Sequence, residues 1–272
     1  MNDSLEYLQE KSRWVRRETV RLHKLAPGTR LASSLSCVEI LCALYYGGVI
    51  RHDPAHPHWA DRDRLILSKG HGCISFYPIL ADRGYIPREE LERIAKPESI
   101  LGVIPEAIVP GIETTNGSLG HGLGVGCGMA LALRKRRSTR KVFVLTGDGE
   151  MNSGAIWEAV MFAGFHRLDN LIMILDDNKV SMLGRQVDIL GLAPFPEKLR
   201  QFGWHVETVA GHDVGAIQER LRDMVQHPPG KPQALVADTV KGRGVPELER
   251  DPLCHVKVFK EEEVDRILGE LP

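Results

Sequence analysis

The sequence lacks long apolar runs and an excess of charge of either sign. No apolar segment is long enough to span a bilayer, and the first residues, Met-Asn-Asp-Ser-Leu-Glu, contain no apolar targeting core. Lys and Arg number 35 and Asp and Glu 36, so the formal net charge of −1 gives no electrostatic case for binding nucleic acid or an anionic membrane. We therefore expect a cytoplasmic protein that binds neither nucleic acid nor membrane.

Paired cysteines, internal repeats and nucleotide-binding motifs are also missing. The five cysteines are scattered and include no Cys-x-x-Cys pair, which favours a reduced compartment over a disulfide framework or a zinc site. Neither a Walker pattern nor Gly-x-Gly-x-x-Gly after the first strand occurs, so a nucleotide-binding protein is the weakest alternative. A length of 272 residues fits one large α/β core, and we predict a single domain over residues 1–272.

The centre of the sequence is a β-α-β unit between residues 142 and 180. Residues 142–146 form a short apolar run typical of a strand buried on both faces of a parallel sheet, and residues 171–175 form the next. A helical pattern over 153–167 connects them, with Ile156, Val160 and Ala163 on one stripe. Since parallel strands end at the same edge of a sheet, Asp148 and Asn178 are expected to lie close together.

This pair predicts a magnesium site. Asp148 lies between Gly147 and Gly149, which are expected to allow a sharp turn and the close approach of a ligand. The oxygens of Asp148 and Asn178, with the backbone carbonyl of Val180, would form half of an octahedral Mg²⁺ shell. Gly-Asp-Gly alone is a common turn, but a strand before it, a helix after it and Asn178 closing the next strand favour the metal.

The other patterns predict helices and strands that alternate along the chain. Strands are expected at 65–67, 205–209 and 234–240, and a loop at 189–196. Ser36-x-x-Glu39 is the pattern of a capping box that opens a helix running to residue 46. Gly120, Gly124 and Gly128 share one helix face, which indicates close packing. Further helices are expected at 4–23, 73–83, 214–226 and 261–271 and in the stretch up to 134. The whole order predicts an α/β protein with one doubly wound, mostly parallel sheet and helices on both faces.

Several of these segments resemble the thiamine-diphosphate-binding half of transketolases, which some bacteria encode as a separate subunit. Gly147-Asp-Gly149 with Asp177-Asn178 resembles the thiamine-diphosphate signature, and Trp157-Glu-Ala-Val and Leu168-Asp-Asn-Leu resemble its surroundings in transketolases. The stretches 63–71 and 109–121 are similar to the family's histidine and glycine-rich loops. The similarity extends from about Leu5 to the end of the chain.

The resemblance implies a set of site residues. Asp148, Asn178 and Val180 would bind Mg²⁺, and His71, His255 and Arg30 would lie at the reacting centre. Gly117, Ser118, Leu119 and Gly120 would contact the aminopyrimidine through the backbone. The full set implied for the cofactor is His71, Gly117, Ser118, Leu119, Gly120, Gly147, Asp148, Gly149, Glu150, Asn178, Val180, Lys241 and His255.

The resemblance also implies an activity and a partner. The family uses thiamine diphosphate and Mg²⁺ to transfer a two-carbon ketol unit from a ketose-type donor to an aldehyde acceptor. The glutamate that activates the aminopyrimidine lies in a pyrimidine-binding domain that this sequence does not contain. The expected assembly is therefore an α2β2 heterotetramer with a separate pyrimidine-domain subunit, and Glu158 matches a glutamate of its interface network.

Three positions depart from the family pattern. Arg30 and Ile104 stand where the family has histidines that face the hydroxyls of a ketose donor, and Ser153 stands where it has an interface glutamate. Since the guanidinium suits a carboxylate or phosphate, we expect a donor other than the usual ketose phosphates. Acyl or ketol transfer from a 2-oxo acid or other non-sugar donor stays open as an alternative, as does a non-catalytic scaffold that binds a partner and no cofactor.

Overall fold

The computed structural model describes residues 3–272, which form one five-stranded sheet with helices on both faces. The strands are β1 (Arg64–Leu67), β2 (Val142–Gly147), β3 (Leu171–Asp177), β4 (His205–Ala210) and β5 (Gln233–Asp238). The helices are α1 (Leu5–Leu25), α2 (Leu31–Leu35), α3 (Val38–Tyr45), α4 (Cys73–Arg83), α5 (Gly122–Lys135), α6 (Gly154–Phe165), α7 (Gln186–Ile189), α8 (Phe195–Gln201), α9 (Val214–Gln226), α10 (Pro246–Glu249) and α11 (Glu261–Glu270). Short 3₁₀ turns occupy Gly70–Gly72, Arg88–Arg93, Asp148–Asn152 and Cys254–Val256.

All five strands are parallel, in the order β1-β2-β3-β5-β4. The apolar runs of β2 and β3 are buried along their length because helices cover both faces of the sheet. Gly147 pairs with Asp176, so the two strands end side by side. The predicted doubly wound α/β fold is confirmed.

Side chains alternate between two apolar cores, one on each face of the sheet. Phe143 and Leu145 of β2 join the core built with α1, α3, α4, α9 and α11. Val142 and Val144 point to the opposite face, where α5, α6 and α8 pack. On that second face the predicted stripe of Ile156, Val160 and Ala163 is fully buried. Two cores therefore hold the sheet rigidly between them and fix the positions of its strand ends.

Two predictions about helices were wrong. The capping box at Ser36 and Glu39 does not form: α3 begins after Cys37 with no side-chain cap. Ser36 Oγ instead donates to Asp176 (2.5 Å), and Glu39 forms a buried ion pair with Arg16. The predicted loop at 189–196 is also too long, because α8 begins at Phe195.

Among residues 3–272, no helix combines the length and apolar character needed to cross a membrane.

His23, near the end of α1, is a buried neutral histidine that should make the fold sensitive to acid. Thr29 Oγ1 donates to the carbonyl of Ala26 (2.8 Å), so it accepts a hydrogen bond from His23 Nδ1 (2.8 Å). Nε2 is then unprotonated, and it is buried without a partner. Burial, reinforced by the charge of Arg30, lowers the pKa of His23 from 6.5 to about 4.

Because the unfolded chain binds this proton near pH 6.5 and the folded chain does not, stability should be lost as the pH falls from 6.5 to 4. The loss attributable to His23 is roughly 3 kcal/mol. Asn at this position keeps a donor for Thr29 but cannot titrate. Urea unfolding at several pH values should therefore show a shallower acid dependence for His23→Asn than for wild type. His227→Asn, at an exposed position directly after α9, should leave the acid dependence unchanged. Identical slopes for His23→Asn and wild type would contradict this prediction.

Candidate functional site

The carboxyl ends of β1, β2, β3 and β5 surround a cavity of about 250 Å³. Each strand end contributes a polar side chain: His71 follows β1, Asp148 follows β2, Asn178 follows β3 and Lys241 follows β5. This edge is where open α/β sheets bind ligands. The lining also includes Ser33, Lys69, Leu119, Gly147, Gly149, Glu150, Asn152, Val180, Ser181, Met182, Leu183, Ile189 and His255.

The turn after β2 places Asp148 at the base of this cavity. Residues Asp148–Asn152 form a single 3₁₀ turn, and Gly147 has an extended backbone with φ of −115°. Neither Gly147 nor Gly149 has a positive φ, so the turn does not require their conformational freedom, contrary to expectation. A Cβ on Gly147 would meet Lys69 Cβ at 3.6 Å, an ordinary contact. A Cβ on Gly149 would meet Ser181 Cβ at 3.3 Å, so this glycine lets the segment after β3 lie close to the turn.

Asp148 is a buried carboxylate that lacks a partner on one side. Oδ1 accepts a hydrogen bond from Gly149 N (2.8 Å), but Oδ2 is buried and has no partner within residues 3–272. Burial, together with the charges of Asp176 and Asp177, raises the pKa of Asp148 to about 7. A buried carboxylate with an unpartnered oxygen is costly unless a cation compensates it.

Asn178 and Val180 lie beside Asp148, on the segment that follows β3. The Asn178 amide group donates to Asp176 Oδ2 (3.3 Å), and its oxygen accepts a hydrogen bond from Val180 N (3.2 Å). The Val180 carbonyl accepts from Lys241 Nζ (2.7 Å). Burial lowers the pKa of Lys241 to about 8. All three residues predicted to bind the metal thus line the cavity, and the Lys241 ammonium lies against the Val180 carbonyl.

His71 and His255 line the cavity in edge contact with each other, with ring centroids 5.1 Å apart. His255 Nδ1 is 3.1 Å from Ser33 Oγ. Burial, followed by the charges of Lys241, His71 and Arg30, lowers the pKa of His255 to about 3; burial and Arg30 also lower the pKa of His71. Both rings are therefore neutral at pH 7. Arg30 is half-buried and close enough to act on both, although it does not line the cavity.

Glu150 lines the cavity, but its carboxylate accepts hydrogen bonds from the protein itself. Its oxygens accept hydrogen bonds from Ser68 Oγ, from Gly120 N (2.8 Å) and from Gly147 N (3.4 Å). It therefore ties the glycine-rich loop to the ends of β1 and β2. Of the four predicted loop residues, Leu119 lines the cavity, whereas Gly117, Ser118 and Gly120 do not. Ile104 lies over this loop, since a Cβ on Gly117 would meet Ile104 Cδ1 at 3.2 Å.

Several residues that support the site carry no signal in the sequence. Gln186 on α7 donates to the Asp148 carbonyl and accepts from Asn152 Nδ2 (3.0 Å), which ties α7 to the turn after β2. Lys69 forms an ion pair with Asp176 beneath the cavity. The segment after Val180 carries exposed apolar side chains at the mouth of the cavity, with Met182 53% and Leu183 71% exposed. Lys69 is the exception among these residues: it lies inside the motif at residues 68–71, directly after a strand, and that position could have indicated a role at the site.

A groove between α5 and α6 opens next to the glycine-rich loop. Gly124 and Gly128 face it, and a Cβ on either would meet no atom within 4 Å. The close packing predicted for this glycine face is therefore absent at Gly124 and Gly128 within the described chain. Gly120, the third glycine, precedes α5, has φ of +91° and is closely packed, since its built Cβ would lie 2.6 Å from Ser153 Cβ. Glu158 and Phe162 of α6 line the same groove and are exposed. This open, small-residue face suits the close approach of another polypeptide.

The donor set fits Mg²⁺ bound together with a diphosphate. One carboxylate, one side-chain amide and one backbone carbonyl are hard oxygen ligands of the kind this ion prefers, and they leave coordination positions for phosphate and water. The unpartnered Asp148 Oδ2 is the oxygen that a divalent cation would satisfy. His71 and Lys241 supply polar groups at the same edge.

Comparisons with known proteins agree with this geometry. The family described as "Transketolase, thiamine diphosphate binding domain" matches residues 23–271. An apulose-4-phosphate transketolase subunit of Actinobacillus succinogenes is 40% identical over 272 residues, covering 99% of this chain and 98% of that protein. The 6-deoxy-6-sulfo-D-fructose transketolase subunit SqwG of Clostridium sp. is 38% identical over 266 residues, covering 97% and 96%.

Among solved structures, the transketolase of Campylobacter jejuni superposes with a TM-score of 0.89 at 30% identity. The match covers 99% of this chain but 43% of that one, so the chain spans less than half of the solved enzyme. The two bacterial transketolase subunits, by contrast, match it over nearly their whole length.

Proposed function

This chain belongs to the family of transketolase thiamine-diphosphate-binding domains, and we propose that it is the cofactor-binding subunit of a two-component transketolase-type transferase. Residues 1–272 would form its single diphosphate-binding domain, and a separate pyrimidine-domain subunit would complete the active site. The observation that carries the proposal is the convergence of Asp148, Asn178 and the Val180 carbonyl at one strand edge, with one Asp148 oxygen left unpartnered. A cytoplasmic location is supported by five unpaired, buried cysteines.

Asp148, Asn178 and Val180 would hold Mg²⁺, and His71, Gly149 and Lys241 would hold the diphosphate. When bound, thiamine diphosphate would supply the nucleophilic carbon and the electron sink for moving a two-carbon unit from donor to acceptor. The backbone of residues 117–120 would contact the aminopyrimidine. Glu150 would act indirectly, by holding that loop in place through Gly120 N.

His255 would exchange a proton with a substrate oxygen. Ser33 Oγ contacts Nδ1, and within residues 3–272 no hydrogen bond reaches Nε2, so that nitrogen is left for the substrate. With its pKa lowered to about 3 by burial and neighbouring charges, the ring is neutral at pH 7 and a weak base, so a proton taken up during the reaction would be returned readily. His71 faces it and shares its neutral state.

The groove between α5 and α6 supports the binding of another chain on this face. Exposed Phe162 and Glu158 lie beside glycines that no residue within 3–272 covers. Glu158 is placed to reach a partner from there, which suits its resemblance to an interface glutamate. The names of the two relatives, each a transketolase subunit, support a heteromeric enzyme. The assembly we propose is an α2β2 heterotetramer.

Calorimetry tests this function directly. The protein should bind thiamine diphosphate only when Mg²⁺ is present, and more tightly with the pyrimidine-domain subunit than without it. Ketol transfer should require both subunits. Absence of thiamine diphosphate binding with Mg²⁺ and the partner would instead favour the non-catalytic scaffold.

Arg30 favours a donor other than the usual ketose phosphates. No hydrogen bond or ion pair engages its guanidinium in the part of the chain that the structure describes, and its charge reaches His71 and His255. A free cation beside the reacting centre suits an anionic donor group better than a sugar hydroxyl. The names of the relatives include donors such as 6-deoxy-6-sulfo-D-fructose, and a 2-oxo acid is the second candidate class.

Replacing Arg30 with the histidine of the family should change the choice of donor. We expect Arg30→His to shift the ratio of kcat/KM for donors with a carboxylate beside the reacting carbonyl, such as 2-oxo acids, over that for xylulose 5-phosphate by about 5–100-fold toward xylulose 5-phosphate, because one charged contact is worth about 1–3 kcal/mol. A competition assay with the reconstituted pair would measure the ratio. Arg13→His, at an exposed position on α1, is the matched control. Ordinary wild-type turnover of xylulose 5-phosphate with no better donor would exclude the idea.

A further inference from the structure

We propose that the buried ion pair of Lys69 and Asp176 is a positioning device that fixes the amide of Asn178 with its oxygen toward the metal site. This inference rests on the cofactor site proposed above and deepens it. Asp176 is fully buried, Lys69 is 6% exposed, and neither is among the three proposed metal ligands.

Lys69 has no donor left for a ligand. Its three N–H groups have three acceptors within the protein: Asp176 Oδ2, the Ser33 carbonyl (3.0 Å) and Ser36 Oγ (3.1 Å). A lysine that lines a cavity is first suspected of binding phosphate. Here the ammonium is turned away from the cavity and into the protein, so its role is exerted through Asp176.

Asp176 is held from both sides. Oδ1 accepts a hydrogen bond from Thr239 Oγ1, at the end of β5. Oδ2 accepts from Lys69, from Ser36 Oγ (2.5 Å) and from Asn178 Nδ2 (3.3 Å). Ser36, Lys69 and Thr239, from three other segments of the chain, therefore determine where this carboxylate lies.

The carboxylate in turn decides which way the Asn178 amide faces. Only Nδ2 can donate to Asp176; a flipped amide would set Oδ1 against a buried anion. Because Nδ2 is engaged, Oδ1 lies on the opposite side of the amide, where it accepts a hydrogen bond from Val180 N and stays available to the proposed metal site. Lys69 makes this possible, since it compensates a carboxylate that would otherwise be buried without a counter-ion. Such outer partners orient metal ligands in many sites.

Titration of the full-length chain with Mn²⁺ in the presence of thiamine diphosphate tests the inference, with free Mn²⁺ followed by electron paramagnetic resonance. Asp176→Asn and Lys69→Met should each weaken Mn²⁺ binding about 10–100-fold. Thr239→Val removes one hydrogen bond to Asp176 and keeps the ion pair, so it should weaken binding by roughly 2–10-fold. The Thr239 variant keeps the inference testable if loss of the ion pair prevents folding.

Controls separate this role from the alternatives. Lys11→Met removes another partly buried ion pair, with Asp82, far from the cavity, and should leave Mn²⁺ binding unchanged. If Lys69 bound phosphate directly, Thr239→Val would bind Mn²⁺ like wild type, and that result would overturn the inference. Folded Asp176→Asn and Lys69→Met variants with wild-type affinity would overturn it as well. If the wild-type chain bound no Mn²⁺ with thiamine diphosphate, the proposed cofactor site would fail, and this inference with it.

Discussion

Asp148→Ala should abolish Mg²⁺-dependent binding of thiamine diphosphate, with an affinity loss on the order of 100-fold or more. Asp148 supplies the one carboxylate among the three proposed metal ligands, and its Oδ2 has no other partner in the described chain. Loss of an outer partner costs up to about 100-fold in metal affinity, so loss of a charged ligand should cost at least that much. Calorimetry at saturating Mg²⁺ measures the effect.

The variant should stay folded while it loses binding. Alanine removes a buried carboxylate oxygen without a partner and relieves its repulsion with Asp176 and Asp177. We therefore expect urea resistance of the cofactor-free protein at pH 8 to be at least that of wild type. Asp223→Ala, at an exposed position on α9, is the matched control and should bind the cofactor normally. Tight Mg²⁺-dependent binding by Asp148→Ala would remove the basis of the proposed site.

Placing leucines at Gly124 and Gly128 should prevent assembly with the pyrimidine-domain subunit without disturbing the chain itself. Neither glycine has an atom within 4 Å of a built Cβ, and both lie in the interior of α5. Replacing a helical glycine favours the helix by about 0.5–1 kcal/mol, so thermal stability of the isolated chain should be equal or higher. The new side chains would fill the groove that a partner has to enter.

Co-purification and ketol transfer report the effect. We expect the Gly124→Leu/Gly128→Leu double variant to elute apart from its partner and to lose activity by about 100-fold or more, because overpacking at close contacts is strongly unfavourable. Gly269→Leu on α11 is the matched control: it is also an exposed helical glycine without near neighbours, but on another face. A double variant that assembles and turns over like wild type would show that the partner binds elsewhere.

The sequence allowed the sheet to be predicted, and the residues of the proposed metal site to be placed at one edge of it, because their signals are local. Apolar runs mark β2 and β3, and Asp148 and Asn178 follow them directly. The capping box failed because Ser36 donates to Asp176, which lies 140 positions away, and no local pattern reports that competition. Gln186 was missed for the same reason. Its hydrogen bond to the Asp148 carbonyl exists only because the fold places α7 against the turn after β2.

The openness of the α5 glycines could not be anticipated either. A four-residue repeat of glycine indicates close approach but does not say whether the neighbour belongs to the same chain. Gly126, between them, lies against Val144 of β2, with 2.5 Å from its built Cβ to Val144 Cγ2. Gly124 and Gly128 face outward instead. The contrast arises from the rotation of α5 on the sheet, which is a tertiary property.

The segment from Val180 to Leu190 connects the proposed metal site to apolar side chains that are exposed to solvent. Val180 and Gln186 contact groups at the metal-binding edge, while Met182, Leu183 and Val187 expose 53%, 71% and 69% of their surface. Any protein that clamps those side chains restricts the same backbone that carries the Val180 carbonyl. The two binding equilibria are then linked: if the partner raises the affinity of this chain for the metal by some factor, the metal raises the affinity of this chain for the partner by the same factor. Depletion of magnesium would then loosen the quaternary structure before it unfolds either chain.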